Sequence, residues 1–143
     1  MSEFTGFKYE DLEIGMSHET VHTISENDIQ RFAEVSGDYN PLHMNEEFAA
    51  KTVFGRRIAH GALTASYISG ILGNNLPGPG AIFIGLSMRF KRPVHIGDTV
   101  TVRAEVAEKQ DRGNRVTLKV ECTVDDKRVI TGEAEVVAPR RDA

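Results

Sequence analysis

Residues 61–72 form the segment that most restricts how this chain can fold. They read Gly-Ala-Leu-Thr-Ala-Ser-Tyr-Ile-Ser-Gly-Ile-Leu, a stretch with no charged side chain and with many small ones. A helix that is apolar on nearly every face has to be covered by protein on nearly every face. The sequence therefore predicts a buried central helix over residues 60–72, which the rest of the chain has to surround.

The second half of the chain supplies a sheet for this purpose. Apolar residues alternate with other residues in four segments, which is the two-residue period of strands with one buried face. The segments run from Ile82 to Phe90, from Val100 to Val106, from Val116 to Val124 and from Ile130 to Val136. Short connections favour an antiparallel sheet, so we predict an α+β fold in which this sheet wraps around the central helix. A length of 143 residues is too short for two ordinary domains, so residues 1–143 are expected to form one domain.

Two short helices are predicted ahead of the central one. Ser25 and Asp28 have the form of a capping box, and apolar residues follow at helical spacing, which predicts a helix from Glu26 to Val35. A second helix is predicted over residues 46–51, with Asn45 as its cap. The Gly- and Pro-rich residues 73–80 lead into a strand and lack the Lys-Ser/Thr pair of a phosphate loop, so they are interpreted as a connector.

Charge and the N-terminal sequence exclude several classes of partner. The net charge is -4, with 17 basic and 21 acidic residues, so no general attraction to nucleic acid or to an anionic membrane is expected. The N-terminal residues include early acids and no uninterrupted apolar stretch, so neither a signal peptide nor a membrane span is expected there. A cytoplasmic location follows as the default prediction.

Two features resemble reactive sites without having the required surroundings. Residues 18–22, His-Glu-Thr-Val-His, match a zinc-protease motif that works only on a helix, whereas the β-branched residues here favour a strand. On a strand, His18 and His22 are separated by roughly 13 Å, too far to share one metal ion. Cys122 is in phase with the apolar residues of its strand and has no basic neighbour, so it is interpreted as a buried core residue.

Residues 36–43, Ser-Gly-Asp-Tyr-Asn-Pro-Leu-His, contain the most informative pair of titratable groups. On a helix, Asp38 and His43 would point about 140° apart, but in a loop that turns at Asn40-Pro41 both can face one cleft. The alternative is that Asp38 and Asn40 only satisfy backbone amides of a turn, and that His43 caps the next helix. The residues alone leave both interpretations open.

The start of the central helix is a possible binding site for negative charge. Gly61 lies where unpaired backbone amides and the positive end of the helix dipole can stabilise an oxyanion, and the absence of a side chain allows close approach. Ser69 lies eight residues further along, on roughly the same face. Its hydroxyl either lines the site or bonds to the carbonyl four residues earlier.

Residues 32–49 resemble the signature of the MaoC-like, (R)-specific enoyl-CoA hydratases. The aromatic residue, the Ser-Gly-Asp, the Asn-Pro-Leu-His and the alanine six residues after the histidine are all present. The resemblance continues through residues 57–63, 69–73, 76–80 and 90–98 and covers nearly the whole chain. It is strongest to the short, single-domain hydratases that supply (R)-3-hydroxyacyl-CoA for polyhydroxyalkanoate synthesis. It implies a hot-dog fold and a homodimer with active sites at the subunit interface.

The resemblance also implies roles for particular residues. Asp38 and His43 match the catalytic pair, although the sequence does not say which is base and which is acid. Gly61 matches the oxyanion-binding amide. Asn40 is expected to orient the loop or the water, Ser69 matches a polar residue of the site, and Leu72 is expected to form the floor of the acyl pocket. No metal is expected, because a carboxylate and an imidazole can share the two proton transfers without one, and no cofactor is expected, because coenzyme A is part of the substrate. Three basic residues either contact the coenzyme A phosphates or form a solvated edge: Arg89, Lys91 and Arg92.

The implied reaction is reversible syn addition of water to a trans-2-enoyl-CoA, giving the (R)-3-hydroxyacyl-CoA. One alternative is dehydration of 3-hydroxyacyl groups on acyl carrier protein. A thioesterase is disfavoured because residues 61–72 contain no acid, and a non-catalytic acyl-thioester-binding protein is disfavoured because Asp38 and His43 are both present.

Overall fold

A computed structural model describes residues 4–141 of the chain. The elements follow the predicted order with two additions, a short 3-10 turn (Tyr9–Asp11) in front and a helical turn (Pro41–Met44) where a loop was expected. The strands are β1 (Ser17–Thr23), β2 (Ile82–Phe90), β3 (Thr99–Gln110), β4 (Arg115–Val124) and β5 (Lys127–Val137). The helices are α1 (Glu26–Ser36), α2 (Pro41–Met44), α3 (Glu46–Ala50) and α4 (Gly61–Asn74). The predicted helices and strands are thus confirmed to within a few residues, and β1 contains the His18–His22 motif as a strand.

The five strands form one antiparallel sheet in the order β1-β3-β4-β5-β2. Strand β2 pairs with β5, although β3 follows it in sequence. The reason lies in β1, which occupies the second edge of β3 through the register from Ser17 opposite Glu105 to Thr23 opposite Thr99. Consecutive pairing therefore holds for β3, β4 and β5 only.

The sheet wraps around α4, and this confirms the hot-dog architecture. Helix α4 packs against β1, β2 and β3. The alternating residues of β3 and β4 point into the resulting core, each at most 1% exposed: Val100, Val102, Ala104, Val106, Val116, Leu118, Val120 and Cys122. Burial raises the pKa of the Cys122 thiol to about 12, as expected for an unreactive core cysteine.

Two predictions of burial were wrong in part. Along β2, Ile82, Ile84, Leu86 and Phe90 alternate as predicted but are 38% to 60% exposed. Strand β2 is an edge strand, and its free side has no covering element within the protomer. Helix α4 likewise exposes one stripe of small residues, made up of Ala62, Ser66, Ser69 and Gly73.

Among residues 4–141, no helix combines the length and the apolar character needed to cross a membrane. The prediction about an N-terminal signal also draws on residues 1–3, which lie outside the described residues.

Candidate active site

The segment between α1 and α2 is a capped turn. Gly37 ends α1 with a φ of 78°, a left-handed conformation that favours glycine. Asp38 Oδ1 accepts a hydrogen bond from the Asn40 amide at 3.1 Å, and Asn40 Oδ1 accepts one from the Leu42 amide at 3.0 Å. Asp38 and Asn40 therefore do satisfy turn amides, as one of the two interpretations predicted. The other part of that interpretation was wrong, because the next helix, α3, is capped by Asn45 and not by His43. The turn uses one acceptor of the Asp38 carboxylate, and a carboxylate has further acceptor positions.

His43 lies on α2, the single helical turn that Asn40 caps and Pro41 begins. Its side chain is 8% exposed, and its Nδ1 lies 2.8 Å from the backbone carbonyl of Ile58. A carbonyl only accepts, so Nδ1 carries the proton and donates. In the neutral ring the other nitrogen, Nε2, is then the proton acceptor.

His60 belongs to this site and was missed as a side chain by the sequence analysis. It is 1% exposed, and its ring lies against that of His43, with 4.1 Å between the ring centroids. Its Nε2 donates to the backbone carbonyl of Asp38 at 3.0 Å. Burial lowers its pKa, which favours the neutral form. His60 therefore joins the backbone of Asp38 to the ring of His43.

The same three residues form the one group in the described part of the chain whose side chains suggest a metal site. Their possible ligand atoms, on Asp38, His43 and His60, all lie within 4.8 Å of one another. However, His43 Nδ1 and His60 Nε2 are engaged by carbonyls, and the two rings face each other with 32° between their planes. Ligating nitrogens bind a metal in the plane of the ring, and rings that face each other do not aim at one ion. The absence of a metal stays a prediction that this geometry supports.

Arg57 positions the helical turn that carries His43. Its Nε donates to the His43 carbonyl at 2.6 Å, and its two terminal nitrogens contact both carboxylate oxygens of Glu26 at 2.8 and 2.7 Å. The hydrogen bond to Arg57 lowers the pKa of Glu26. Because Glu26 lies on α1 and His43 on α2, the Arg57 side chain fixes α2 against α1. Arg57 lies within the segment that resembles the hydratases, but no spacing rule identified this role.

A cavity of about 620 Å³ brings His43 and the start of α4 together. Gly61 is the first residue of α4 and lines this cavity. A Cβ atom built on Gly61 would lie 2.6 Å from the ring of Phe90, so only glycine fits here without displacing its neighbour. The predicted catalytic histidine and the predicted oxyanion site therefore face one space.

The remaining predicted residues divide into two groups. Lys91 and Arg92 line the same cavity, and Arg92 also donates to the Arg128 carbonyl at 3.1 Å. Five predicted residues do not line it. Leu72 lies in the core at 1% exposure, and the other four are exposed: Asp38, Asn40, Ser69 and Arg89. The Asp38 carboxylate nevertheless lies within 4.8 Å of a ring nitrogen of His43. Ser69 has no bond back to the carbonyl of Ala65 among the hydrogen bonds of residues 4–141, so that alternative finds no support.

The buried imidazole of His60 predicts how stability depends on pH. Burial lowers its folded-state pKa below the ordinary 6.5, so the unfolded chain binds this proton at a higher pH than the native one. The free energy of unfolding should therefore fall as the pH decreases through 6.5. Burial lowers the pKa of His22 in the same direction, so it contributes as well.

Urea titrations from about pH 7.5 to about pH 5.5 measure this effect. His60→Gln retains a donor for the Asp38 carbonyl but cannot titrate. Its stability should therefore fall less over this interval than that of the wild type, with the remaining loss due to His22. Equal losses in the two proteins would contradict the assignment.

Comparison with known proteins shows the family to which the chain belongs. A family model described as "MaoC like domain" matches residues 11–130. The chain is 50% identical to an (R)-specific enoyl-CoA hydratase of Rhodospirillum rubrum, covering 93% of the chain and 92% of that protein. It is 48% identical to a 3-hydroxybutyryl-CoA dehydratase of Methylorubrum extorquens, covering 94% and 85%. Its fold matches an (R)-hydratase from Aeromonas caviae involved in PHA biosynthesis with a TM-score of 0.88 and 40% identity, covering 91% of the chain and 99% of that structure.

Proposed function

Because the chain belongs to the family of MaoC-like domains, we propose that it acts as an (R)-specific enoyl-CoA hydratase. It adds water reversibly to a trans-2-enoyl-CoA and releases the (R)-3-hydroxyacyl-CoA. The observation that carries this proposal is the meeting of His43 and Gly61 at one cavity. His60 holds the backbone of Asp38 next to His43, and the Asp38 carboxylate lies within 4.8 Å of a ring nitrogen of His43. An acid-base pair and an oxyanion site are what this addition requires.

The tautomer of His43 indicates which nitrogen can accept a proton from the attacking water. Water is a poor nucleophile, so a base has to take its proton as the oxygen attacks C3. His43 Nε2 is the free acceptor of the neutral ring, because Nδ1 donates to the Ile58 carbonyl. The carboxylate of Asp38 accepts the other hydrogen of the water and so orients it. The proton taken by His43 then returns to C2 from the same side, which gives syn addition.

Gly61 provides the electrostatic part of the mechanism. Attack at C3 moves negative charge onto the thioester oxygen, and preorganised donors that face such charge lower the barrier. The amide of Gly61 is at the first position of a fourteen-residue helix, where backbone amides lack partners within the helix. His60, which caps this helix, makes no side-chain bond to its amides. We propose that the Gly61 amide donates to the thioester oxygen.

The proposal extends to the outer parts of the site. Lys91 and Arg92 at the cavity are proposed to contact the coenzyme A phosphates, whereas the exposed Arg89 is assigned to this role by the sequence alone. Asn40 is proposed to hold the turn that carries Asp38. Ser69 and Leu72 are assigned to the acyl end by resemblance alone. Coenzyme A belongs to the substrate, and the mechanism uses no cofactor.

A direct assay tests the proposed activity. Purified protein is mixed with crotonyl-CoA, loss of the enoyl thioester absorbance is followed, and the configuration of the product is determined by chiral analysis. We expect hydration to the (R) product. Absence of hydration, or an (S) product, would exclude the proposal, and faster dehydration of a 3-hydroxyacyl group on acyl carrier protein would favour the carrier-protein alternative.

Strand β2 supports a homodimer as part of the proposal. It is an edge strand with a row of exposed apolar residues, whereas the opposite edge strand, β1, is mostly polar. An exposed apolar edge strand tends to pair with a strand of another molecule. A second copy that pairs its own β2 here by two-fold symmetry covers this edge and the small-residue stripe of α4.

A charged residue on this edge should therefore dissociate the dimer. Ile84 is 46% exposed on β2, and Val21 is 63% exposed on β1. We expect Ile84→Glu to give a monomer by analytical ultracentrifugation, because burying a carboxylate at the interface is costly. Val21→Glu, the matched change on the other edge, should leave the assembly unchanged. If Ile84→Glu has the same mass as the wild type, β2 is not the interface.

The cellular setting is also a proposal. Supply of (R)-3-hydroxyacyl-CoA for polyhydroxyalkanoate synthesis is supported by the likeness to the (R)-hydratase from Aeromonas caviae. The cytoplasmic location remains a prediction from the N-terminal sequence.

A further inference from the structure

Helix α2 is too short to hold the His43 ring in a fixed orientation by itself. It is a single turn of four residues, Pro41–Met44, and a helix of this length is not stable on its own hydrogen bonds. The ring nevertheless has to aim Nε2 at one water molecule, and a misplacement of about 1 Å costs about a hundredfold in rate. The orientation of His43 therefore depends on the contacts that α2 makes with the rest of the chain.

Three hydrogen bonds join α2 to residues 57 and 58, which precede α4. Arg57 Nε donates to the His43 carbonyl at 2.6 Å, and His43 Nδ1 donates to the Ile58 carbonyl at 2.8 Å. The Ile58 amide donates to the Leu42 carbonyl at 3.3 Å. The backbone and the ring of His43 are thus both held by two adjacent residues, so a displacement of Arg57 also displaces His43.

Arg57 is itself held at both ends, and the second contact involves a residue that has no other role in the site. Its guanidinium is paired with Glu26 on α1, and its carbonyl lies 3.1 Å from Nδ1 of His95. A carbonyl only accepts, so His95 Nδ1 carries a proton and is the donor of this bond. The Arg57 side chain is 10% exposed, so solvent competes little for its contacts.

The two residues that hold Arg57 are also joined to each other. The His95 amide donates to Asp98 Oδ2 at 2.8 Å, which fixes the turn between β2 and β3. The amide of Ile24, two residues before Glu26, donates to the Asp98 carbonyl at 2.9 Å. Glu26, Arg57 and His95 therefore form a closed arrangement, here named the Arg57 clamp, which contacts α2 only through Arg57.

We propose that Glu26, Arg57 and His95 are positioning residues, which set the rate of hydration by holding His43 against the attacking water. None of the three lines the cavity, so none is expected to contact the acyl chain. Loss of the Arg57 clamp should therefore lower kcat and leave KM nearly unchanged. This inference rests on the proposed function.

Arg57→Lys tests the central contact. Lysine keeps the positive charge but lacks the planar fork, so it cannot bind Glu26 through two nitrogens and the His43 carbonyl through a third. With crotonyl-CoA, kcat should fall about tenfold or more, and KM should stay within about twofold of the wild type. Arg103→Lys is the matched control, because Arg103 forms an ion pair with Glu105 at 2.7 Å and does not line the cavity. It should retain the wild-type kcat.

His95 allows a graded test of the second contact. The side-chain nitrogen of asparagine matches the position of Nδ1, so His95→Asn keeps the donor for the Arg57 carbonyl, whereas His95→Ala removes it. His95→Ala should lower kcat about fivefold, and His95→Asn should restore most of it. In the Arg57→Lys background, His95→Ala should cost less than in the wild type, because both changes disrupt one arrangement.

The tautomer of His43 separates this role from a merely structural one and can be measured without turnover. Long-range proton–nitrogen NMR spectra show which ring nitrogen carries the proton, and His43→Gln identifies the His43 signals by their absence. We expect a proton on Nδ1 alone in the wild type and a mixture of tautomers in Arg57→Lys, because the Ile58 carbonyl moves with Arg57. If Arg57→Lys does not fold, Glu26→Gln replaces it in both measurements, since it alters a side chain that is 53% exposed.

Three results would overturn the proposal. The first is a kcat close to the wild type in Arg57→Lys, whether or not its melting temperature falls. The second is a higher KM with an unchanged kcat, which would indicate a role in binding. The third is a His43 tautomer that Arg57→Lys leaves unchanged, and this result would count even if the protein does not hydrate crotonyl-CoA.

Discussion

Asp38→Asn and His43→Gln should each lower the turnover of crotonyl-CoA by more than about a hundredfold, the usual scale for a general acid or base. His43→Gln removes the nitrogen that accepts the proton from water. Asp38→Asn replaces a carboxylate that holds the water with an amide, which has a single acceptor oxygen. Because the two residues act on one water molecule, the double variant should lose little more than the worse single variant.

Both substitutions are chosen to preserve the local structure. The Asn side chain keeps an oxygen for the Asn40 amide, and the Gln side chain keeps a donor for the Ile58 carbonyl. Circular dichroism and melting temperature should therefore stay close to those of the wild type. Asp126→Asn is the matched control, since it makes the same carboxylate-to-amide change in the turn between β4 and β5, where the φ of 65° suits asparagine. Near-normal turnover in either site variant contradicts the catalytic role of that residue.

The fold could be predicted because its signals are local. The uncharged run at residues 61–72 and the alternating strands each carry their own period, and Ser25 and Asn45 cap the helices that they were predicted to cap. The strand order was less accessible, because β2 and β5 are brought together only once β1 occupies the free edge of β3. The exposure of β2 could not be predicted either. An alternation of apolar residues with a period of two indicates an apolar face, but it does not indicate which element covers that face.

Site residues could be predicted from the sequence only where a residue type suited to the chemistry lies at a recognisable turn or helix start. Asp38, His43 and Gly61 lie at a turn or at a helix start, and each stands out by residue type. His60 and Arg57 act through contacts with backbone carbonyls of residues distant in sequence, Asp38 and His43, and no spacing pattern records such contacts.

Gly61→Ala should lower turnover by about a hundredfold or more, comparable to the loss of one oxyanion donor. Alanine keeps the backbone amide, so the effect is steric. Its Cβ would lie 2.6 Å from one atom of the Phe90 ring and 3.0 Å from two others. If the start of α4 moves, the Gly61 amide is displaced from the thioester oxygen. If the Phe90 ring moves instead, the ring enters the cavity that Phe90 lines. Both displacements impair the same site.

A double-mutant cycle with Phe90→Leu separates this steric cause from a change in helix stability. If the ring is the obstacle, the smaller leucine should restore part of the turnover of Gly61→Ala, and the two changes should be strongly non-additive. Gly70→Ala, in the same helix but outside the small-residue stripe and with nothing within 4 Å of the added atom, is the matched control and should retain activity. Turnover of Gly61→Ala close to the wild type would show that the ring and the helix start can both adapt. The amide of Gly61 would then no longer account for stabilisation of the thioester oxygen, because a donor that tolerates such displacement is not held in the fixed geometry on which oxyanion stabilisation depends.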